Sequence, residues 1–245
     1  MQLAIKRLSH LQLAQLLVFG IFLLVQWRTV STASIEQYPL PQPIPASNLR
    51  VLTLGEAAIG AKLLGYWLLS YDTHAGRVIP FESLDYQRLS GWLTTISQLD
   101  PLSEYSSMVA GGVFIDVKDR KRQLDMVELV RERFNENPAV NWRWMAQVVM
   151  LAKYRLHDMP LALSLAKDLR EHSKGFDIPY WAREMQAYLL QDMGELEASI
   201  VLLKAMIETG AITDPDELRF IEKRITELRA SINAKRGDMS GSQQN

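Results

Sequence analysis

The chain has 245 residues, room for one or two domains with a sizeable core, and its 48% hydrophobic and 22% charged content is that of an ordinary globular protein. Its 27 basic and 28 acidic side chains leave a formal net charge of −1, which supplies no field to gather a polyanion, so nucleic acid is not an expected partner. With no cysteine, disulfides, thiol catalysis and thiolate metal sites are excluded together.

Lys6 and Arg7 stand ahead of an apolar run. Residues 8–27 number 20, which at ~1.5 Å each reach ~30 Å, the thickness of the hydrocarbon layer of a bilayer. Eleven residues between Leu11 and Val25 are Leu, Ile, Val or Phe. At about −0.3 to −0.6 kcal/mol each they favour insertion by a few kcal/mol. This predicts a transmembrane anchor over 8–27 behind a cytoplasmic N-terminus over 1–7. A cleaved secretory signal is the competing reading, since Ser31-Thr32-Ala33 offers small residues, although Trp27 and Arg28 intrude before them. A buried domain helix is the third, and the Pro-rich segment that follows counts against it. Under the first two, Lys6 and Arg7 hold the N-terminus inside and Arg28 weakens that bias.

Residues 28–50 carry Pro39, Pro41, Pro43 and Pro45 at alternate positions. Such a tract favours an extended polyproline conformation of ~3 Å per residue, so a semi-rigid spacer is expected, with a docking motif for a Pro-reading domain as the alternative.

Residues 51–232 read as helical hairpins. Thr53 and Glu56 form a capping-box pattern ahead of a helix with Ala57, Ala61, Leu64 and Leu68 on one side, and Gly55, Gly60 and Gly65 allow a neighbour to approach. Glu56 and Lys62 argue against a second membrane span. After a turn at His74-Ala75-Gly76, the paired helix shows Leu89, Trp92, Ile96 and Leu99. In the second hairpin LSEYSSMVAGGVFIDV packs on a helix striped by Leu124, Val127, Val130 and Phe134, and Gly111-Gly112 interrupts the first partner. The third runs from about Ala139. Its second helix opens at Asp158 with Pro160 in the first turn and sets Leu161, Leu165 and Leu169 on one stripe beside Ala162 and Ala166. In the fourth, Trp181, Met185, Tyr188 and Leu189 mark the first helix, Gly194-Glu195 the turn, and Leu196, Ile200, Leu203 and Ile207 the second. Asp214, Pro215 and Glu217 then start a helix whose narrow stripe of Leu218, Ile221, Ile225 and Leu228 suits a terminal cap. Residues 233–245, rich in Gly, Ser and Gln, are expected to be a disordered tail.

Asp158 and Glu195 are 37 residues apart, and Pro101, Pro138, Pro179 and Pro215 are spaced by 37, 41 and 36. Three of these prolines follow the capping residues Asp100, Asn137 and Asp214. A recurring interval of this size belongs to stacked supersecondary units, each too small to bury its own apolar face. The pattern of His157-Asp158 followed by Ala162, Ala166 and Leu169, and of Gly194-Glu195 followed by Ala198-Ser199, Leu203 and Met206, resembles the tetratricopeptide-repeat family. Here the units exceed the usual ~34 residues, and Lys153 stands where that family has an aromatic. The resemblance implies an all-α solenoid of about four hairpins plus a capping helix. The pairing of FESLDYQRL and WLTTISQLDP with the later NWRW and AKYRLHD also resembles a group of proteobacterial single-span membrane proteins with a helical-repeat ectodomain. Together with the inside N-terminus expected from Lys6 and Arg7, that resemblance implies that the bulk of the chain lies on the periplasmic side of an inner membrane.

Candidate chemistry is sparse. His10, His74, His157 and His172 have no carboxylate or second histidine at ligand spacing, and no metal or cofactor is expected. Glu82, Asp85 and Asp100 lie near one another without a sign of the burial that acid–base work requires. Lys118 to Arg122 is the densest basic cluster, a solvated turn or else a contact for anionic headgroups, and Arg236-Gly237-Asp238 sits in the tail by coincidence.

In tetratricopeptide proteins the first helix of each repeat lines a groove. The same register turns Trp144, Gln147, Tyr154, Arg155, Trp181, Glu184, Tyr188 and Gln191 toward it, in residue types that anchor interfaces. Trp142 and Trp144 cannot share one helical face, so one of them should be partly exposed. The expectation is a membrane-anchored, non-enzymatic adaptor that binds another protein and touches lipid through 8–27. The alternative is a cell-wall or glycan-acting protein using groove carboxylates.

Overall fold

The computed structural model describes residues 17–21, 24, 39–74, 77–78, 80–210, 212 and 214–241. The chain divides into two units, Met1–Pro39 and Leu40–Asn245. In the first, residues 17–21 and 24 are helical, and Leu17, Val18, Phe19, Ile21 and Leu24 are exposed. The rest of the predicted span at 8–27 lies outside the described residues. Among those described, no single helix is long and apolar enough to cross a membrane.

The second unit is helical almost throughout. Its order is α1 (Ala46–Leu52), α2 (Ala57–Leu69), α3 (Tyr86–Leu99), α4 (Tyr105–Val109), α5 (Arg120–Glu136), α6 (Pro138–Tyr154), α7 (Met159–His172), α8 (Tyr180–Arg183), α9 (Met185–Asp192), α10 (Leu196–Glu208) and α11 (Pro215–Gly241). The turn between α2 and α3 is closed by a two-residue antiparallel ladder, β1 (Thr73–His74) on β2 (Arg77–Val78). Each helix packs on its neighbours in the chain, and α3 also meets α5, α4 meets α6, and α7 meets α9. The apolar stripes account for this. Leu89, Trp92, Leu93 and Ile96 of α3, Met126, Val130 and Phe134 of α5, Met145, Val148 and Val149 of α6, and Leu165 and Leu169 of α7 are buried in one continuous cluster. A second cluster joins Ala187 of α9 to Ile200, Leu203 and Met206 of α10 and Ile221, Ile225 and Leu228 of α11.

Several predicted boundaries form as expected. The Asp158 carboxylate accepts from the Leu161 N–H at 3.0 Å, with a proline in the first turn of α7. Asp214 caps α11 through the N–H groups of Asp216 and Glu217. Gly194 (φ +82°) and Gly210 (φ +66°) end α9 and α10 in the left-handed conformation that glycine adopts without strain.

Other expectations fail for identifiable reasons. The capping box at Thr53–Glu56 does not form: Thr53 ends α1, its hydroxyl donating to the Arg50 carbonyl, and Glu56, at the N-cap position of α2, makes no side-chain cap bond. Asn137 does not cap α6 through its side chain, which donates instead to the Pro101 carbonyl. Pro101 lies in a turn four residues before α4 begins at Tyr105. The tail predicted from 233 is helical as far as Gly241, because elongation of an existing helix costs little. Residues 242–245 lie outside the described residues.

The largest departure concerns the proline tract. Leu40 to Pro45 is seated along α3 as a strap rather than free as a spacer. Proline lacks an N–H but leaves carbonyls to accept. Donors spaced along one face of α3 meet them: Arg88 donates to the Leu40 carbonyl (2.7 Å), the Trp92 indole N–H to Pro41 (2.9 Å) and the Thr95 hydroxyl to Ile44 (3.1 Å). Leu40 is 2% exposed. Gly91 makes room, since a Cβ there would lie 2.6 Å from Pro43 Cγ.

Candidate interaction face

α4 does not end at Val109 but widens into one π-helical turn over Ala110–Phe114, in which the Ile115 N–H donates to the Ala110 carbonyl at 3.0 Å. Such turns leave a carbonyl without its helical partner and recur at functional sites. Here Gln147 of α6 supplies a donor, its Nε2 reaching the Gly111 carbonyl at 3.3 Å. The Gly111-Gly112 pair, which interrupts the helical pattern in sequence, lets the Trp144 ring approach the backbone. A Cβ on Gly112 would stand 3.5 Å from Trp144 Cζ3. The Trp144 indole N–H donates to Glu104 at 3.1 Å, so the ring is held at both ends and half-buried.

Further polar contacts tie the helices together at a recurring interval. The Lys118 N–H donates to Glu82, Arg120 to the Leu156 carbonyl and Asp158, Arg131 to Asp168, Arg155 to Asp116, and Lys153 to Asp192. In each the partners are 36 to 39 residues apart, the interval of the proline punctuation. Glu82 and Asp85 thus have structural roles, Asp85 as the N-cap of α3.

The eight predicted groove residues fall into two groups. On α6, Arg143, Gln147, Met150 and Tyr154 form one exposed stripe at helical spacing, with Tyr154 59% exposed beneath the Lys153 ammonium. Arg155 is exposed just past the helix end. Met150 belongs to this stripe and is absent from the sequence expectation, although counting three residues on from Gln147 would find it. On α8 and α9, Trp181 is 47% exposed and meets the buried Trp142 edge-on at 5.7 Å. The half-buried Gln191 donates to the Ser199 hydroxyl (2.9 Å) and accepts from Arg224 (2.6 Å). Of the two tryptophans that cannot share a face, Trp142 is inside and Trp144 is half-exposed, as expected.

Glu184 is a correction to its place in the groove: it is 1% exposed, at the break between α8 and α9, and faces inward. Tyr188 donates to it at 2.7 Å. Glu217 of α11 is also buried, with the Arg183 guanidinium 3.9 Å away. Desolvation pushes both carboxyls above their ordinary range, and the charge of Glu217 adds to the rise at Glu184, while Arg183 opposes both. Burial, followed by the bond to Glu184, holds the Tyr188 phenol protonated to high pH. This is a neighbouring pair of carboxyls biased toward neutrality, and its burial turns it away from any substrate.

A cleft of about 280 Å³ lies between α2, α3 and α4, lined by Lys62, Tyr66, Asp100, Ser103 and Tyr105. The buried Tyr105 hydroxyl has no hydrogen-bond partner there, and burial raises its pKa. Among the described residues no group of three or more His, Asp or Glu side chains is placed to hold a metal ion. No family model, no curated protein and no solved structure matches the chain.

Proposed function

We propose that the protein is a membrane-tethered, non-enzymatic scaffold of the bacterial envelope. In this proposal residues 8–27 are the anchor and the helices from α2 onward are tetratricopeptide-like hairpins holding another protein on the periplasmic side. One observation carries the reading. Polar ties 36 to 39 residues apart register successive helices against one another, and the stripe of Gln147, Met150 and Tyr154 is left open on α6. A side-chain set held rigid before binding loses little entropy on association. Tyr154, restrained by the Lys153 ammonium over its ring, has the character of an interface anchor.

The test is photo-crosslinking in cells from Met150 and Tyr154, with Val201, exposed on α10, as the control position. The reading expects one protein caught at both stripe positions and absent at Val201. Purified, that protein should bind Tyr154→Ala about 10- to 30-fold more weakly, the loss of ~1.4–2 kcal/mol expected on removing an anchor. Equal crosslinking at all three positions, or unchanged affinity, would overturn it.

A further inference from the structure

α2 is apolar on both its inner and its outer face. Its small residues Gly60, Ala61 and Gly65 face inward with Leu68, Gly65 so closely that a Cβ would lie 2.5 Å from the Tyr105 ring. Leu64, Trp67 and Leu69 also pack against the core, but Ile59, Leu63 and Tyr66, at helical spacing on the outer face, are 56% to 70% exposed. At the corner before it, Val51 and Leu52 are 75% and 74% exposed. Leu54 at the tip is 93% exposed and holds φ at 51°, a left-handed conformation that costs a leucine energy. A strained, uncovered leucine at the tip of a corner that exposes Val51, Leu52, Ile59, Leu63 and Tyr66 with it is unfavourable in water.

We propose that this α1–α2 corner is a second membrane contact, lying in the boundary between headgroups and acyl chains with Leu54 leading. Four features favour lipid over a protein partner. Between Val51 and Leu69 the only charged residues are Glu56 and Lys62. α1 and α2 together meet the length and composition of a membrane span, yet are bent by 110°. A bent apolar pair can lie along the interface more readily than cross it. Lys62 stands one turn before Tyr66, which ends the apolar stripe, and both are residue types that settle at the headgroup level. Finally, only residues 28–39 separate the apolar run at 8–27 from the seated strap, a reach of at most ~40 Å, so a tethered corner meets the bilayer at high effective concentration. This last point rests on the tether in the proposed function, and none rests on its scaffold role.

The test uses the full chain reconstituted in phosphatidylcholine vesicles, with single cysteines at Leu54, Leu63, Leu17 or Val201, each carrying a polarity-sensitive fluorophore. The native chain has no cysteine to interfere. Labels at Leu54→Cys and Leu63→Cys should emit at shorter wavelength than at Val201→Cys and resist iodide. A nitroxide near the carbonyl end of the acyl chain should quench them more than one near the terminal methyl. Leu54→Asp should restore iodide access to the Leu63→Cys label. If both corner labels behave like Val201→Cys while Leu17→Cys reports lipid, the tether stands and the corner proposal falls. If they resist iodide without quenching by lipid nitroxides, a protein surface covers them and the proposal falls as well. A corner in lipid with Leu17→Cys in water would sustain the corner and overturn the tether.

Discussion

The strap on α3 makes Gly91→Ala an informative change, because two effects of known sign oppose each other there. In an open helix interior, alanine for glycine stabilises by ~1 kcal/mol. At Gly91 the new methyl would stand 2.6 Å from Pro43 Cγ and 3.2 Å from its Cβ, so the strap must lift. Forcing a methyl into a filled site costs about 1–3 kcal/mol. What resists is the burial of Leu40, ~1.5–3 kcal/mol, and three hydrogen bonds at ~0.5–1.5 kcal/mol each, offset by the entropy of holding Leu40, Gln42 and Ile44. The seat is therefore marginal, while the helix itself gains. The assay is the labelling rate of a thiol placed at Leu40→Cys, which local opening of the strap governs. Adding Gly91→Ala should raise that rate about 5- to 150-fold, the equivalent of 1–3 kcal/mol, with little change in melting temperature. A variant that melts higher while the thiol stays protected would refute the steric argument and the strap with it.

The same geometry separates two other glycines. Gly65→Ala, with its Cβ 2.5 Å from the Tyr105 ring, should destabilise by about 1–3 kcal/mol in urea unfolding. Gly112→Ala, 3.5 Å from Trp144, should be neutral or stabilising by up to ~1 kcal/mol. Asn141 is buried, donates to the Arg133 and Asn137 carbonyls and accepts from the Ser107 hydroxyl, so Asn141→Ala should cost about 2 kcal/mol or more by the same assay. The raised pKa values of Glu184 and Glu217 set a pH dependence. The folded state keeps protons that the unfolded chain releases near its ordinary value of 4.5, so this contribution is full below that value and is lost as pH rises through the folded values. Glu184→Gln should flatten the stability profile above the ordinary value of 4.5, and an unchanged slope would show that the carboxyls are not responsible.

Much of the helical content is legible because apolar side chains recur at the spacing of a buried stripe. Leu165 and Leu169 with Ala162 and Ala166, or Ile221 with Ile225 and Leu228, are inside as their periodicity requires. Asp158 and Asp214 are legible for a local reason, since a cap needs only its own helix. What escapes is non-local. Nothing in the proline tract says that Arg88, Trp92 and Thr95, more than 40 residues on, will bind its carbonyls; that depends on the helix they share. The α2 stripe of Ala57, Ala61, Leu64 and Leu68 goes inside as read, with Gly65 against Tyr105, but its pattern does not say that a second apolar stripe of Ile59, Leu63 and Tyr66 is left outside. The tetratricopeptide-like register turns Glu184 toward the groove with Trp181, but the break between α8 and α9 buries it beside Glu217 of α11.

That inward turn has a mechanical consequence. α9 contributes Met185 and Leu189 to the larger apolar cluster and Ala187 to the smaller, so it is the helix the two cores share. The smaller core adds only α10 and α11, and against α11 its seam holds two buried carboxyls and the Arg183 guanidinium where apolar side chains would otherwise pack. Ionising those carboxyls weakens the grip of α11. It does little to the larger core, which holds the strap, the π-turn and the open stripe of α6. Elements joined by few apolar contacts open separately from the rest. The pH dependence should therefore be local: hydrogen exchange quickens in α11 as pH rises, after correction for its intrinsic rate, while α6 keeps its protection. Parallel loss of protection in both would mean that the chain unfolds as one cooperative unit and that α9 is no boundary.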